Sequence, residues 1–79
     1  MISNQILQNT IEGLKSIARV DFCVMDIDGK EAASTTSGMG QNSVAVVEFA
    51  KSPADSQEIQ GCQYFKIYDE HQLEYILVV

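Results

Sequence analysis

Hydrophobic residues recur at helical spacing near the start of the chain. The stripe runs through Leu7, Ile11 and Leu14, with polar side chains at most positions between them. Intervals of three and four residues place these side chains on one face of a helix. Ser3 is the expected N-cap, because its hydroxyl can accept a hydrogen bond from the first turn. We expect an amphipathic helix whose stripe packs on its own sheet or contacts a second copy in a dimer through Leu7, Ile11 and Leu14.

A hairpin is predicted after this helix. Residues 20–25 form an apolar run typical of a strand, and residues 30–36 form a return strand of small and polar side chains. Hydroxyl groups donate and accept hydrogen bonds without carrying charge, so a cluster of them suits a small polar ligand or a solvated strand end. The cluster at this strand end consists of Ser34, Thr35, Thr36 and Ser37.

Two geometries are open for the turn of this hairpin. A two-residue turn would place Asp26 opposite Glu31, which like-charge repulsion disfavours. A three-residue loop over residues 27–29 instead pairs Asp26 with Lys30 and places Gly29 in the left-handed conformation as a bulge. We expect the second geometry. The same turn chemistry explains the acidic residues better than a calcium loop does, because the later ligands of such a loop are missing from the sequence.

Two helical segments are predicted between the first hairpin and the end of the sequence. Asn42 or Ser43 is the N-cap of the first segment, in which valines recur at helical spacing. The second is a short helical turn over residues 53–59, since its proline occupies a first-turn position. Gly61 then supplies a left-handed stop.

A second hairpin is predicted over residues 62–69 and 72–79. The first of these strands carries Tyr64, Lys66 and Tyr68 on one face, and Lys66 is the residue that we expect to bind an anionic group of a ligand. An exposed sheet charge is the alternative interpretation of Lys66. Beyond Glu74 both faces of the other strand are apolar, which indicates a central strand covered on each side.

The element order of helix, hairpin, helical crossover and hairpin predicts one α+β domain over residues 1–79. We expect a four-stranded antiparallel sheet with helices packed on it, as in PAS, GAF and Cache domains or in roadblock and profilin-like sandwiches. Such sheets often enclose a small-ligand pocket.

Composition and charge exclude several classes of function. Eleven acidic and five basic residues give a net charge of −6, which argues against direct nucleic-acid contact. We expect no membrane segment, a cytoplasmic location, and no metal or other cofactor. Cys23 and Cys62 are expected to be free and buried. The sequence lacks a paired general acid and base, so we expect no enzyme activity.

Several short segments carry a family resemblance. The helix at residues 6–14, the stretch from Val24 to Gly29, the Ala32-Ala33-Ser34 segment and the strand at residues 72–79 resemble the sugar-diacid recognition domain. That domain forms the N-terminal part of carbohydrate-diacid transcriptional regulators.

The resemblance implies a sensor that is a fragment of a longer chain. A small carboxylate ligand would bind between sheet and helix, near the hydroxyl cluster and the face with Tyr64, Lys66 and Tyr68. The signal would pass through homodimer packing to a separate DNA-binding domain.

The alternative is a protein-interaction and dimerisation module of the roadblock or profilin-like sort, which has a similar element order and needs no ligand. A cavity lined by the hydroxyl cluster favours the sensor. A solid core with edge-to-edge sheet pairing favours the interaction module.

Overall fold

Two helices and a five-stranded antiparallel sheet make up the described part of the chain. The computed structural model describes residues 3–36 and 43–79. In chain order the elements are α1 (Asn4–Ala18), β1 (Cys23–Asp26), β2 (Glu31–Ser34), α2 (Ser43–Lys51), β3 (Ser56–Ile59), β4 (Cys62–Asp69) and β5 (Gln72–Val78). The strands are ordered β2-β1-β5-β4-β3 across the sheet. The α+β class is therefore confirmed.

The number of strands corrects the prediction of four. Residues 53–59 do not form the predicted helical turn, because Ser56–Ile59 is β3 and pairs antiparallel with β4. Gln60 and Gly61 have φ of 52° and 83° and form the two-residue turn between these strands. The left-handed glycine that was expected to end a helix instead turns a hairpin.

Helix α1 begins as the sequence predicts. The Ser3 side chain accepts a hydrogen bond from the Ile6 amide at 3.1 Å. At the other end Arg19 adopts a left-handed conformation, with φ of 61°, and its amide donates to the Lys15 carbonyl. Leu7 and Ile11 are buried, so the stripe of α1 packs on the sheet of its own chain.

The helices cover opposite faces of the sheet, and each covers its own core. The α1 side contains Leu7, Ile11, Phe22, Val24 and Ala33. The α2 side contains Cys23, Met25, Val46, Phe49, Tyr64, Ile76 and Val78. Strand β5 lies at the centre of the sheet between β1 and β4, as its two apolar faces predict. The predicted cover on both sides is incomplete, because Tyr75 and Leu77 on the α1 side are only partly buried.

The first hairpin has the predicted three-residue loop. The Asp26 amide donates to the Lys30 carbonyl at 2.8 Å, and the Gly29 amide donates to the Asp26 carbonyl at 3.0 Å. The Asp26 carboxylate accepts from the amides of Asp28 and Lys30, both at 2.9 Å. Gly29 has φ of 88°, as expected for the bulge. The acidic side chain at position 26 therefore holds the turn through backbone amides.

Candidate functional site

Ser34 and Tyr64, which belong to the two halves of the predicted ligand site, lie far apart on the α2 side of the sheet. Ser34 pairs with Cys23, Cys23 pairs with Val78, and Val78 pairs with Tyr64. These four residues therefore form one cross-strand row with Ser34 and Tyr64 three strands apart, roughly 14 Å. Cys23 and Val78 are 0% and 1% exposed. Core side chains fill the space in which the sequence placed a ligand.

Tyr64 belongs to the core. It is 4% exposed, and its ring meets Phe49 edge to face with 5.9 Å between centroids. Burial raises the pKa of the Tyr64 hydroxyl. Tyr68, four residues further along β4, is half exposed at the surface. Of the β4 residues predicted to bind a ligand, Tyr64 therefore packs in the core and Tyr68 lies at the surface.

Lys66 connects β4 to the end of α2. Its ammonium donates a hydrogen bond to the Ser52 carbonyl and lies 5.1 Å from the centroid of the Phe49 ring. A cation above an aromatic face and beside a helix C-terminus is electrostatically favourable. These contacts give Lys66 a structural role on the α2 side of the sheet.

The hydroxyl cluster makes local contacts. Thr35 Oγ1 accepts from the Phe22 amide at 2.9 Å and donates to the Asp21 carboxylate at 3.0 Å. Ser34 Oγ donates to the Thr36 carbonyl and accepts from the Thr36 amide at 3.2 Å. Ser37 lies outside the described residues. Ser34 and Thr35 thus bond mainly to neighbouring backbone at the end of β2.

An open depression of about 530 Å³ lies between α1 and the end of β2. Its lining comprises Glu12, Lys15, Ser16, Arg19, Ser34 and Thr35. The Lys15 ammonium lies 2.6 Å from the Asp21 carboxylate, and this hydrogen bond lowers the pKa of Asp21. Sequence reasoning did not connect Lys15 and Arg19 with the hydroxyl cluster. Lys15 in the last turn of α1 and Arg19 at its C-cap are four residues apart, and this spacing was the available signal.

The predicted dimer contacts on α1 differ in their exposure. Leu7 and Ile11 are 8% and 3% exposed and pack on the sheet, whereas Leu14 is 42% exposed. Of the three, Leu14 is the residue with a substantial surface for another molecule. None of the polar or charged side chains within residues 3–36 and 43–79 is fully buried.

The edge of the sheet at β2 is covered at Ser34 by a side chain from α1. Gln8 Nε2 donates to the Ser34 carbonyl at 2.7 Å, and the Ser34 amide donates to Gln8 Oε1 at 3.1 Å. The pairing between β1 and β2 also shifts register between Val24 and Met25, which marks a bulge. Bulges and covering groups are common ways to prevent an edge strand from pairing.

The opposite edge, at β3, is open among the residues that the structure describes. Strand β3 is the terminal strand of the sheet and pairs with β4 alone. Ser56, Gln57 and Glu58 are all exposed. The sequence did not reveal this edge, because residues 53–59 were predicted to be helical.

Clusters of metal ligands and membrane-spanning helices are absent from residues 3–36 and 43–79. Within them, no group of three or more His, Cys, Asp or Glu side chains is placed to hold a metal ion. Neither α1 nor α2 is long and apolar enough to cross a membrane.

Comparison with known proteins returned no relative. No protein-family model, no curated protein and no solved structure matches this chain at a significant level. The geometry of the chain itself is therefore the basis for inferring its function.

Proposed function

We propose that this domain is a protein-interaction module that forms a homodimer by pairing the β3 edges of two copies. The observation that carries the proposal is the difference between the two sheet edges. Gln8 occupies the outward backbone groups of Ser34 at the β2 edge, while β3 ends the sheet without a neighbour among the described residues. The filled core between Ser34 and Tyr64 supports the same proposal, because the ligand site predicted from the sequence requires a cavity there.

The β3 edge is suited to pairing with itself. The Lys66 amide donates to the Asp55 carbonyl at 3.1 Å, and Gln57 stands opposite Tyr64 in the register. Alternate residues of an antiparallel strand bond to the same neighbour, so the backbone groups of Ser56 and Glu58 are directed outward. A twofold axis at Gln57 then places Glu58 of each copy opposite Ser56 of the other. This register avoids direct like-charge contacts.

Helix α2 would extend the contact beyond the two strands. A cleft of about 330 Å³ separates α2 from β3 and is lined by residues that include Glu48, Gln57 and Ile59. Val44, on the outer side of α2, is 68% exposed. Edge pairing brings the clefts and the α2 helices of two copies to the same side of a continuous sheet. The added apolar contact stabilises a pairing that four-residue strands alone would hold weakly.

Analytical ultracentrifugation of matched variants tests the proposal. We expect the wild type to sediment as a dimer and Glu58→Pro to sediment as a monomer, because proline removes an outward amide. Glu58→Ala retains that amide and should remain dimeric. Circular dichroism checks that each variant is folded. A monomeric wild type, or a Glu58→Pro variant that is folded and dimeric, would overturn the proposal.

A carboxylate sensor is the second candidate, and one feature favours it. Lys15 and Arg19 bring two cationic side chains to a depression that Ser34 and Thr35 also line. Its volume of about 530 Å³ is within the usual range for small-ligand sites. A sugar diacid of the kind implied by the sequence resemblance would place its carboxylates against these cations.

Isothermal titration with a sugar diacid and with a neutral sugar alcohol of similar size tests the second candidate. We expect binding of the diacid alone, weakened in Arg19→Gln. Lys30→Gln is the matched control, because it removes a surface cation outside the depression. Equal heats for the two compounds, or equal affinity in both variants, would contradict a diacid site.

A further inference from the structure

The α1 side of the sheet retains an apolar groove beside the helix. Leu7 and Ile11 of α1 pack with Val24 and Ala33, which lie on β1 and β2. The helix thus covers one half of this face and leaves the half formed by β5, β4 and β3 uncovered by the described residues. A groove of about 340 Å³ follows this boundary. Its lining includes Ile6, Leu7, Ile11, Leu14, Ile67 and Leu77.

Exposed apolar side chains extend the groove in both directions. Ile6, Leu14 and Ile17 are 59%, 42% and 83% exposed along the open flank of α1. Across the groove, Phe65 on β4 is 38% exposed. Phe65 and Ile67 share the α1 side of the sheet, since they alternate with Tyr64 on the other side. Exposed apolar surface that is continuous rather than scattered marks a contact site.

We propose that this groove binds an amphipathic α-helix of a partner protein, with an apolar stripe and Lys or Arg at its flanks. The uncovered strands β5, β4 and β3 span roughly 10–14 Å, and a helix with its side chains is about 10–12 Å wide. One helix therefore fits beside α1. Its apolar stripe would contact Ile67 and Leu77 below and Leu14 at the side, as in other helix-in-groove complexes.

The acidic residues on this face favour a partner helix with Lys or Arg at its flanks. Glu58 stands opposite Gln63 in the register, so it lies on the α1 side of the sheet beyond Phe65. Asp69 lies on the same side at the other end of β4, two residues after Ile67. Lys15 and Arg19 lie on the far flank of α1, in the depression described above. A basic helix meets this acidic border favourably.

The same charges disfavour a second copy as the occupant. Each copy would bring its own Glu58 and Asp69 to the contact, where they would face the same acidic groups of the other copy. This local repulsion between like charges opposes pairing of two copies through the groove. The inference concerns the face opposite α2 and does not depend on the dimer proposed above.

Titration with a designed helical peptide tests the inference. The probe is a fluorescein-labelled peptide of about 16 residues, matched to the length of α1 at 1.5 Å per residue. It has leucines at positions i, i+3, i+4 and i+7 and lysines on the remaining surface, and a matched peptide has glutamates in place of the lysines. We expect saturable one-to-one binding of the basic peptide, at least about tenfold tighter than the acidic peptide at low salt. The preference should shrink at high salt.

Variants locate the binding surface. Leu14→Asp and Ile6→Asp place a charge in the groove and should weaken binding at least about tenfold. Val44→Asp, on the opposite side of the sheet, is the control and should bind as the wild type does. In the wild type, amide NMR shifts on adding the peptide should concentrate in α1, β4 and β5 rather than in α2.

Three results would overturn the inference. The first is no saturable binding of either peptide, and the second is equal binding by Leu14→Asp and Val44→Asp. The third is self-association that Leu14→Asp abolishes and Glu58→Pro leaves intact, which would make the groove a contact between copies.

Discussion

The side-chain amide of Gln8 takes the position of a neighbouring strand at Ser34. It donates to the Ser34 carbonyl at 2.7 Å and accepts from the Ser34 amide at 3.1 Å, so one side chain satisfies both outward groups of that residue. The contact also fixes α1 to the end of β2. A single glutamine thereby fixes the helix to the sheet and covers the edge at Ser34.

Replacing Gln8 by Ala should destabilise the fold. The half-buried amide and carbonyl of Ser34 would lose their partners, which we expect to lower the free energy of unfolding by about 1–3 kcal/mol. Urea denaturation measures the change. Gln5→Ala is the matched control, since the exposed Gln5 amide contacts Asn9 within the helix, and its effect should stay within about 0.5 kcal/mol. Equal effects of the two substitutions would contradict the role assigned to Gln8.

Three glycine substitutions should give three different results. At Gly29 a Cβ would lie 2.9 Å from Ser43 Cβ and 3.3 Å from Val47 Cγ2, with φ of 88°, so Gly29→Ala should cost about 2–4 kcal/mol. At Gly61 the φ of 83° is unfavourable but the space is open, and the expected cost is about 1 kcal/mol. Gly13 is helical with open space around it, so alanine should stabilise by about 0.5–1 kcal/mol. Thermal or urea denaturation should reproduce this order, and a harmless Gly29→Ala would mean that α2 does not lie against the turn.

Lys66 should contribute to stability through its contacts with α2. Lys66→Met keeps much of the side-chain volume but removes the hydrogen bond to Ser52 and the cation above Phe49. We expect a loss of about 1–2 kcal/mol in the free energy of unfolding. Lys30→Met, at an exposed turn position, is the control and should change little. If Lys66→Met is as stable as the wild type, the structural role of Lys66 is contradicted. The ligand-binding role predicted from the sequence would then be favoured.

The Cys23 thiol should make stability fall at high pH. Burial raises its pKa from 9.0 to about 11, so the folded state holds the proton more tightly than the unfolded state. The stabilisation is fully present below pH 9 and is lost as the pH rises from 9 to 11, by at most about 1.4 kcal/mol per pH unit. Urea denaturation of wild type and Cys23→Ala at pH 8, 9 and 10 measures it. The alanine variant retains Tyr64 and should show a shallower slope, while parallel slopes would contradict the assignment.

Local chemistry made several elements predictable from the sequence. The Ser3 cap and the stripe through Leu7 and Ile11 identify α1, because both depend on residues close in sequence. The acidic turn before Gly29 follows from pairing rules that need only a few neighbouring residues. The two apolar faces after Glu74 identify a central strand, because an edge strand more often alternates apolar and polar residues.

The features that the sequence did not predict depend on contacts between residues that are distant in sequence. Strand β3 carries polar side chains at a sheet edge, and its extended conformation comes from pairing with β4 rather than from hydrophobic pattern. Tyr64 and Lys66 share one face of β4, as the sequence indicates. The position of α2, which the sequence does not show, makes Tyr64 a core residue and gives Lys66 its contacts with Ser52 and Phe49. Gln8 resembles any exposed glutamine of an amphipathic helix until the fold brings Ser34 beside it.

The central position of β5 has a consequence for the folding kinetics. The β1–β2 hairpin and the β3–β4–β5 meander are each closed by short turns, whereas the sheet becomes continuous when positions 23–26 meet positions 75–78. Closing so long a loop has an entropic cost that local pairings do not have. We expect the two units to form early and their junction between β1 and β5 to limit the folding rate. Amides at that junction should then report the slowest refolding phase in pulse-labelled hydrogen exchange.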